Sequence, residues 1–153
     1  MKNRSTKIIR RRTPQRAAAV LAAALLFLLA GCGGKVVTET KPIPVGANEE
    51  RLAYLTELGW QVAEEPLATL VLQLPAEFSA DYSDYIKLQE EQGLPFSQCA
   101  GKTVSRYTYA VNNYPDYTGP VQINLYVCDG ALVGGDVVAP GENGFVRGLA
   151  FPK

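Results

Sequence analysis

The sequence predicts an α+β domain, with two helices packed on an antiparallel sheet in the order α-β-β-α-β-β-β and room for a further C-terminal strand. Three observations lead there. Two segments, opening at Asn48 and after Ser79, carry apolar residues at helical spacing. Residues 103–138 break into three stretches of alternating apolar and polar residues separated by turn residues. Helices and strands are therefore segregated along the chain instead of strictly alternating, which favours an antiparallel sheet.

The first helix starts at Asn48, a good N-cap, with Glu49 and Glu50 in the first turn where the helix dipole favours negative charge. Leu52, Leu55 and Leu58 supply its apolar stripe, and Gly59 suits the stop. Trp60 and Val62 alternate with polar neighbours before Glu65-Pro66, and 68–74 reads as a mostly buried strand, so the two pieces are expected to form a hairpin. Pro75 closes it. Ser79 is placed to cap a second helix with Tyr82, Tyr85, Ile86 and Gln89 on one side, ended by Gly93 and Pro95.

Register in the last strands follows from which faces come out apolar. With Val111 opposite Val121 across the 112–120 loop, Tyr109 meets Ile123, Tyr107 meets Leu125 and Ser105 meets Val127. The other face then collects Thr108 with Asn124, Arg106 with Tyr126 and Val104 with Cys128. Asp129-Gly130 makes a two-residue turn into 131–138. An unbroken third strand would set Asp136 on the apolar face, which is costly for an unpaired carboxylate. A β-bulge at Gly134-Gly135 moves Asp136 beside Asn124 and turns Val137 inward.

The chain before this domain has a different character. Lys2, Arg4, Lys7, Arg10, Arg11, Arg12 and Arg16 precede an apolar run of 14 residues from Ala17 to Ala30. At 1.5 Å per residue that run covers roughly 21 Å, short of the ~30 Å hydrocarbon core, so a cleaved export signal fits better than a spanning helix. Leu29-Ala30-Gly31-Cys32 resembles the bacterial lipobox. The resemblance implies cleavage before Cys32, lipid on its thiol, and a protein held on the extracytoplasmic side of the cell membrane. Residues 1–31 then form the signal peptide of a lipoprotein, 32–47 a lipid-anchored tether rich in Gly, Thr and Pro, and 48–153 the single α+β domain. As a flexible coil, the tether would span roughly 20 Å.

No acid lies before Cys32, while seven of the 15 Lys and Arg do; eight basic and 15 acidic side chains remain behind it, a formal charge of −7. Such a domain is unsuited to nucleic acid or to a polybasic grip on lipid, so contact with the membrane would be through the lipid on Cys32. Four short segments, LTELGW at 55–60, YIKLQEEQG at 85–93, Gly101-Lys102 with Arg106-Tyr107-Thr108-Tyr109, and VGGDV at 133–137, resemble domain-of-unknown-function family 4830, found in lipoproteins of Clostridia-like bacteria. The resemblance covers about 49–149 and implies no activity and no catalytic residues. Cys99 and Cys128 depart from the usual family pattern.

The chain has no histidine, which removes His-dependent nucleophile sites and His-liganded zinc, and no glycine-rich phosphate loop; no cofactor or metal is expected. What remains for an enzyme is carboxylate work drawn from Glu64, Glu65, Glu77, Asp81, Asp84, Glu90 or Glu91, residues that read more simply as solvated helix faces and loop acids. The leading expectation is a non-catalytic binding or interaction module. Its alternatives are a carboxylate-based cell-envelope hydrolase and an accessory of envelope assembly or signalling that binds a protein. Arg106, Thr108, Gln122, Asn124, Tyr126 and Asp136 form the candidate binding face for a small polar ligand, although any solvent-facing sheet has such a composition. Finally, with Cys32 lipidated, Cys99 and Cys128 are expected to form a disulfide, worth about 3.6 kcal/mol on the chain-entropy model.

Overall fold

A computed structural model describes residues 41–153; the expected signal peptide, the lipobox-like segment and most of the expected tether lie outside the described residues. Five strands, β1 (Ala68–Gln73), β2 (Thr103–Ala110), β3 (Gln122–Cys128), β4 (Ala131–Ala139) and β5 (Phe145–Arg147), form one sheet in sequential order, antiparallel throughout. Helix α1 (Asn48–Glu57) covers one face and α2 (Ser83–Glu91) the other. The α+β class therefore holds, while the element order is α-β-α-β-β-β-β, preceding turns of 3₁₀ helix aside.

The difference comes from the segment after α1. Trp60 and Val62 do not pair with the following strand. Instead Val62 bridges Val111, the residue just past the end of β2, and β1 runs alongside residues 103–108 of β2 itself. Both pieces thus lie along one edge of β2, interrupted at Glu65-Pro66 where proline removes a backbone donor. As an outer strand β1 is also mostly exposed, contrary to the expectation of burial. The extra strand at the C-terminus is present as β5.

Register between β2 and β3 is the one the apolar pattern demands, from Ser105 opposite Val127 to Tyr109 opposite Ile123. Tyr109, Ile123, Leu125 and Val137 are sealed under α1 with Leu55 and Trp60. The turn at Asp129-Gly130 has φ of +50° and +77°, the two positive values a type I′ hairpin requires. The bulge exists, but one residue earlier than expected: pairing shifts between Tyr126 and Val127, leaving Val133 as the extra residue. Its consequence is as expected, with Asp136 opposite Asn124 and Val137 opposite Ile123. The glycines that follow serve close packing. A Cβ on Gly134 would sit 2.6 Å from the Phe96 ring, and one on Gly135 2.5 Å from Leu149.

Two further expectations change. The N-cap of α1 is Ala47, whose N–H is satisfied by the Glu50 carboxylate at 2.9 Å, while Asn48 sits one position inside and accepts from the Tyr109 hydroxyl. Similarly, Ser79 precedes a 3₁₀ turn and makes no side-chain cap. The tether, moreover, ends before residue 47. Val45 is fully buried, its N–H donates to Gly130, and Leu132 N–H donates to the Ile43 carbonyl, so 43–45 lie against the start of β4.

Candidate functional site

The polar side chains expected on one sheet face do assemble there. The Thr108 hydroxyl donates to Asn124 Oδ1, the Asn124 amide to Asp136 Oδ1 and the Tyr85 hydroxyl to Asp136 Oδ2, each at 2.7 Å. This ladder crosses β2, β3 and β4 and ends on α2. It is partly covered, however. Thr108 and Asp136 are buried, and Tyr126 packs edge-on against Tyr85 and Phe96. Of the candidate binding face, Thr108, Asn124, Tyr126 and Asp136 thus line the seam between sheet and α2, while Arg106 and Gln122 are half-buried beside them. Within the seam the polar groups of the ladder satisfy one another.

Burial pushes the Asp136 carboxyl above its ordinary value, opposed by the hydrogen bonds from Asn124 and Tyr85 and by the charge of Arg106. Tyr85 is pushed upward as well, first by the same burial and then by Asp136 beside it. Nearby, α2 supplies what a longer fifth strand would have supplied. Gln89 Oε1 accepts from Gly135 N–H at 2.8 Å, and the Gln92 amide donates to the Gly135 carbonyl at 3.0 Å while accepting from Leu149 N–H at 2.6 Å. Because β5 pairs only with Val137 to Ala139, these glutamines replace the missing strand contacts. Gln89 Nε2 and Arg106 Nε are buried with no hydrogen-bond partner among the described residues.

Cys99 and Cys128 lie in one buried cluster with Leu74, Phe96, Val104 and Val133, and both are free thiols. The expected disulfide is thus not formed. Each thiol instead has an oxygen acceptor, Pro95 for Cys99 and Thr103 for Cys128, both at 3.8 Å, and burial first and then Cys128 push the Cys99 thiol up. Two small apolar side chains filling a core explain that arrangement without a bond. The carboxylates considered for catalysis, Glu64, Glu65, Glu77, Asp81, Asp84, Glu90 and Glu91, are all exposed, and Glu91 approaches Lys87 at 3.9 Å.

A cleft opens elsewhere in the molecule. It has a volume of about 330 Å³ and is lined by Tyr114, Asp116 and Tyr117 from the β2–β3 loop, Asn143, Phe145 and Arg147 around β5, and Lys153. Phe145 lies 5.0 Å from the Tyr114 ring and 5.5 Å from Tyr117, while Trp60 stacks behind Tyr114 at 6.0 Å. Arg147 is held over Phe145 at 4.8 Å and donates to the Tyr114 hydroxyl at 3.1 Å. Gly119 lets Tyr117 fold back over its own loop, since a Cβ there would meet the ring at 2.6 Å.

No protein-family model matches the chain, and neither a curated protein nor a solved structure matches it. The resemblance to domain-of-unknown-function family 4830 accordingly rests on the four short segments alone. Sequence reasoning passed over the aromatic cleft because its members are spread over four segments, each too short to show periodicity. The one local signal was Tyr114-Pro115-Asp116-Tyr117, two aromatic residues in a turn where small polar residues are usual.

Proposed function

We propose that the protein is a lipid-anchored extracytoplasmic lipoprotein whose domain binds a small polar ligand carrying an apolar face and a negative group, as a carboxylated sugar does. The observation that carries the binding reading is the aromatic cleft. Tyr114, Tyr117 and Phe145 pack against one another and line the cleft with apolar surface, and Arg147 with Lys153 offers positive charge beside it. In a domain with eight basic side chains behind Cys32, two at one cleft are a concentration. Among the other described cations Arg51 is buried and Arg106 half-buried, while Lys41, Lys87 and Lys102 are exposed elsewhere. The cleft's volume is at the small end of ligand sites, suited to one sugar ring and its substituents. Asp116 and Asn143 stand at the rim as acceptors for hydroxyl groups.

Titrating the protein with uronic and muramic acid-containing oligosaccharides, followed by calorimetry, tests this reading. Binding should weaken at least tenfold in Arg147→Ala, corresponding to about 1.4 kcal/mol, and comparably in Tyr117→Ala, with neutral sugars bound less well. Equal binding of the variants, or no binding of any saccharide by the unaltered protein, would refute it.

The anchor is tested separately. The run from Ala17 to Ala30 followed by Leu29-Ala30-Gly31-Cys32 supports export and lipid attachment. Mass spectrometry of the mature protein should find Cys32 as the first residue, carrying diacylglyceryl mass with palmitate-length chains. Cys32→Ala should leave uncleaved precursor or release the protein from membranes. An unmodified thiol at Cys32 would end the lipoprotein reading.

A further inference from the structure

The outermost strand of the sheet, β1, is built unlike a protected edge. Residues 67–74 read Leu-Ala-Thr-Leu-Val-Leu-Gln-Leu, without a charge, glycine or proline, between Pro66 and Pro75. Natural edge strands usually carry a charge, a bulge or a covering loop that blocks pairing with another chain. Here Leu67, Leu70 and Val71 are exposed to 59%, 43% and 70%, and among the described residues β1 has β2 as its only strand partner. Six consecutive uncharged strand residues, four of them apolar Ala, Leu or Val, are thus left with one open side.

What that open side matches can be read from its own sequence. Thr69-Leu70-Val71-Leu72-Gln73 is nearly palindromic about Val71. Two antiparallel copies centred there would place Val71 opposite Val71, Leu70 opposite Leu72 and Thr69 opposite Gln73. Every directly opposed pair would be of like character, and residues of equal parity would share a face, as an antiparallel ladder requires.

The backbone agrees. Leu74 N–H donates to the Lys102 carbonyl of β2 at 2.9 Å, and Leu72 faces Val104 in the same register. Because hydrogen-bonding direction alternates along a strand, Leu70, Leu72 and Leu74 turn their N–H and C=O groups inward, while Thr69, Val71 and Gln73 turn theirs to the open side. Val71 is therefore both the centre of the palindrome and a residue whose donor and acceptor point outward. A two-fold axis through it would let the two Val71 residues exchange a reciprocal pair of hydrogen bonds, flanked by two Thr69 and Gln73 pairs.

We propose that β1 is a self-recognition edge, through which two copies of this chain join antiparallel about Val71 into one continuous ten-stranded sheet. The partner is a second copy because the edge is complementary to itself in side chains and in backbone direction at the same residue. Closure about a two-fold axis consumes the β1 edge of both copies, so pairing through β1 stops at two. Glu65 and Glu77 flank the strand in each copy, and screening by salt favours pairing.

Single cysteines at positions 69, 71 and 73 of the full chain, expressed in bacterial membranes and treated with copper phenanthroline, test the register, with the unaltered chain giving the background from its native cysteines. Val71→Cys should cross-link to a species of twice the mass. Thr69→Cys and Gln73→Cys should cross-link poorly alone but efficiently with each other when co-expressed. Val71→Lys, at a largely exposed position, should reduce the sedimenting mass of the detergent-solubilised chain from two copies to one, with its circular dichroism unchanged. Cross-linking that is equal at all three positions, a conjugate of Val71→Cys with a different protein, or an unaltered chain that sediments as one copy at every concentration would overturn the proposal. Should Val71→Lys fail to fold, the cysteine register decides alone.

Discussion

Replacing Arg51 by alanine should lower the free energy of unfolding by about 3 kcal/mol, measured by urea denaturation. Arg51 is buried on α1 and, among the described residues, has no acidic partner within salt-bridge distance. Its guanidinium is satisfied instead by neutral groups: Nε donates to the Tyr109 hydroxyl at 2.8 Å, and one terminal nitrogen donates to the carbonyls of Val45 and Gly46 at 3.1 and 2.7 Å. The plane also lies 3.6 Å from the centre of the Tyr107 ring. Truncation removes all of these and leaves the Val45 carbonyl at a fully buried residue without its donor. Lysine should recover less than half of the loss, because a single ammonium cannot reproduce the fork and the stacked plane. Since the same contacts clamp residues 43–46 to the domain, exchange of the Val45 amide should accelerate in Arg51→Ala. A variant within 1 kcal/mol of the original would show that the clamp contributes little.

The second large effect belongs to Asp136. Asp136→Leu should destabilise the domain by about 4 kcal/mol, because it strands the Tyr85 hydroxyl and the Asn124 amide in a buried seam and takes away the negative charge that faces Arg106. Asp136→Asn keeps the shape and should cost less, and it isolates the titration. The folded-state value of Asp136 lies above its ordinary one, chiefly through burial. The folded protein therefore binds this proton more readily than the unfolded chain does. Stability contributed by Asp136 rises as pH falls from the raised value toward the ordinary value of 3.8, and it is lost as pH rises back through the raised value. Urea titrations of both proteins between pH 7 and pH 4 should show the difference moving in favour of the unaltered protein as pH falls. Movement in the other direction would mean that the hydrogen bonds and Arg106 outweigh burial.

These two residues show unequal legibility in the sequence. Asp136 was placed beside Asn124 by register alone, since any other placement would bury an unpaired carboxylate on the apolar face. Arg51 gave no such signal. Between Glu50 and Leu52 it reads as part of a charged helix face, and only the carbonyls of Val45 and Gly46 arriving from the preceding segment make its burial tolerable. The bulge was required by the same register argument, but its location was not. Any residue between the turn and Asp136 would restore the phase, and the choice of Val133 leaves Gly134 and Gly135 bare so that Phe96 and Leu149 can approach.

By itself the sequence determined the α+β class, the two helices, the β2–β3 register, the two-residue turn at Asp129-Gly130 and the side of the sheet on which Asp136 lies. Each of these follows from interactions between neighbours along the chain or between strands joined by a short loop, where periodicity and turn chemistry act directly. The tertiary structure decided that α2 covers the polar face, that residues 60–62 and β1 share one edge of β2, that Cys99 and Cys128 stay thiols, and that Trp60, Tyr114, Tyr117, Phe145 and Arg147 meet. Those outcomes depend on contacts between segments far apart in the chain. A polar ladder has the same local pattern whether it faces water or the hydroxyl of Tyr85, and only the helix that packs over it decides between them.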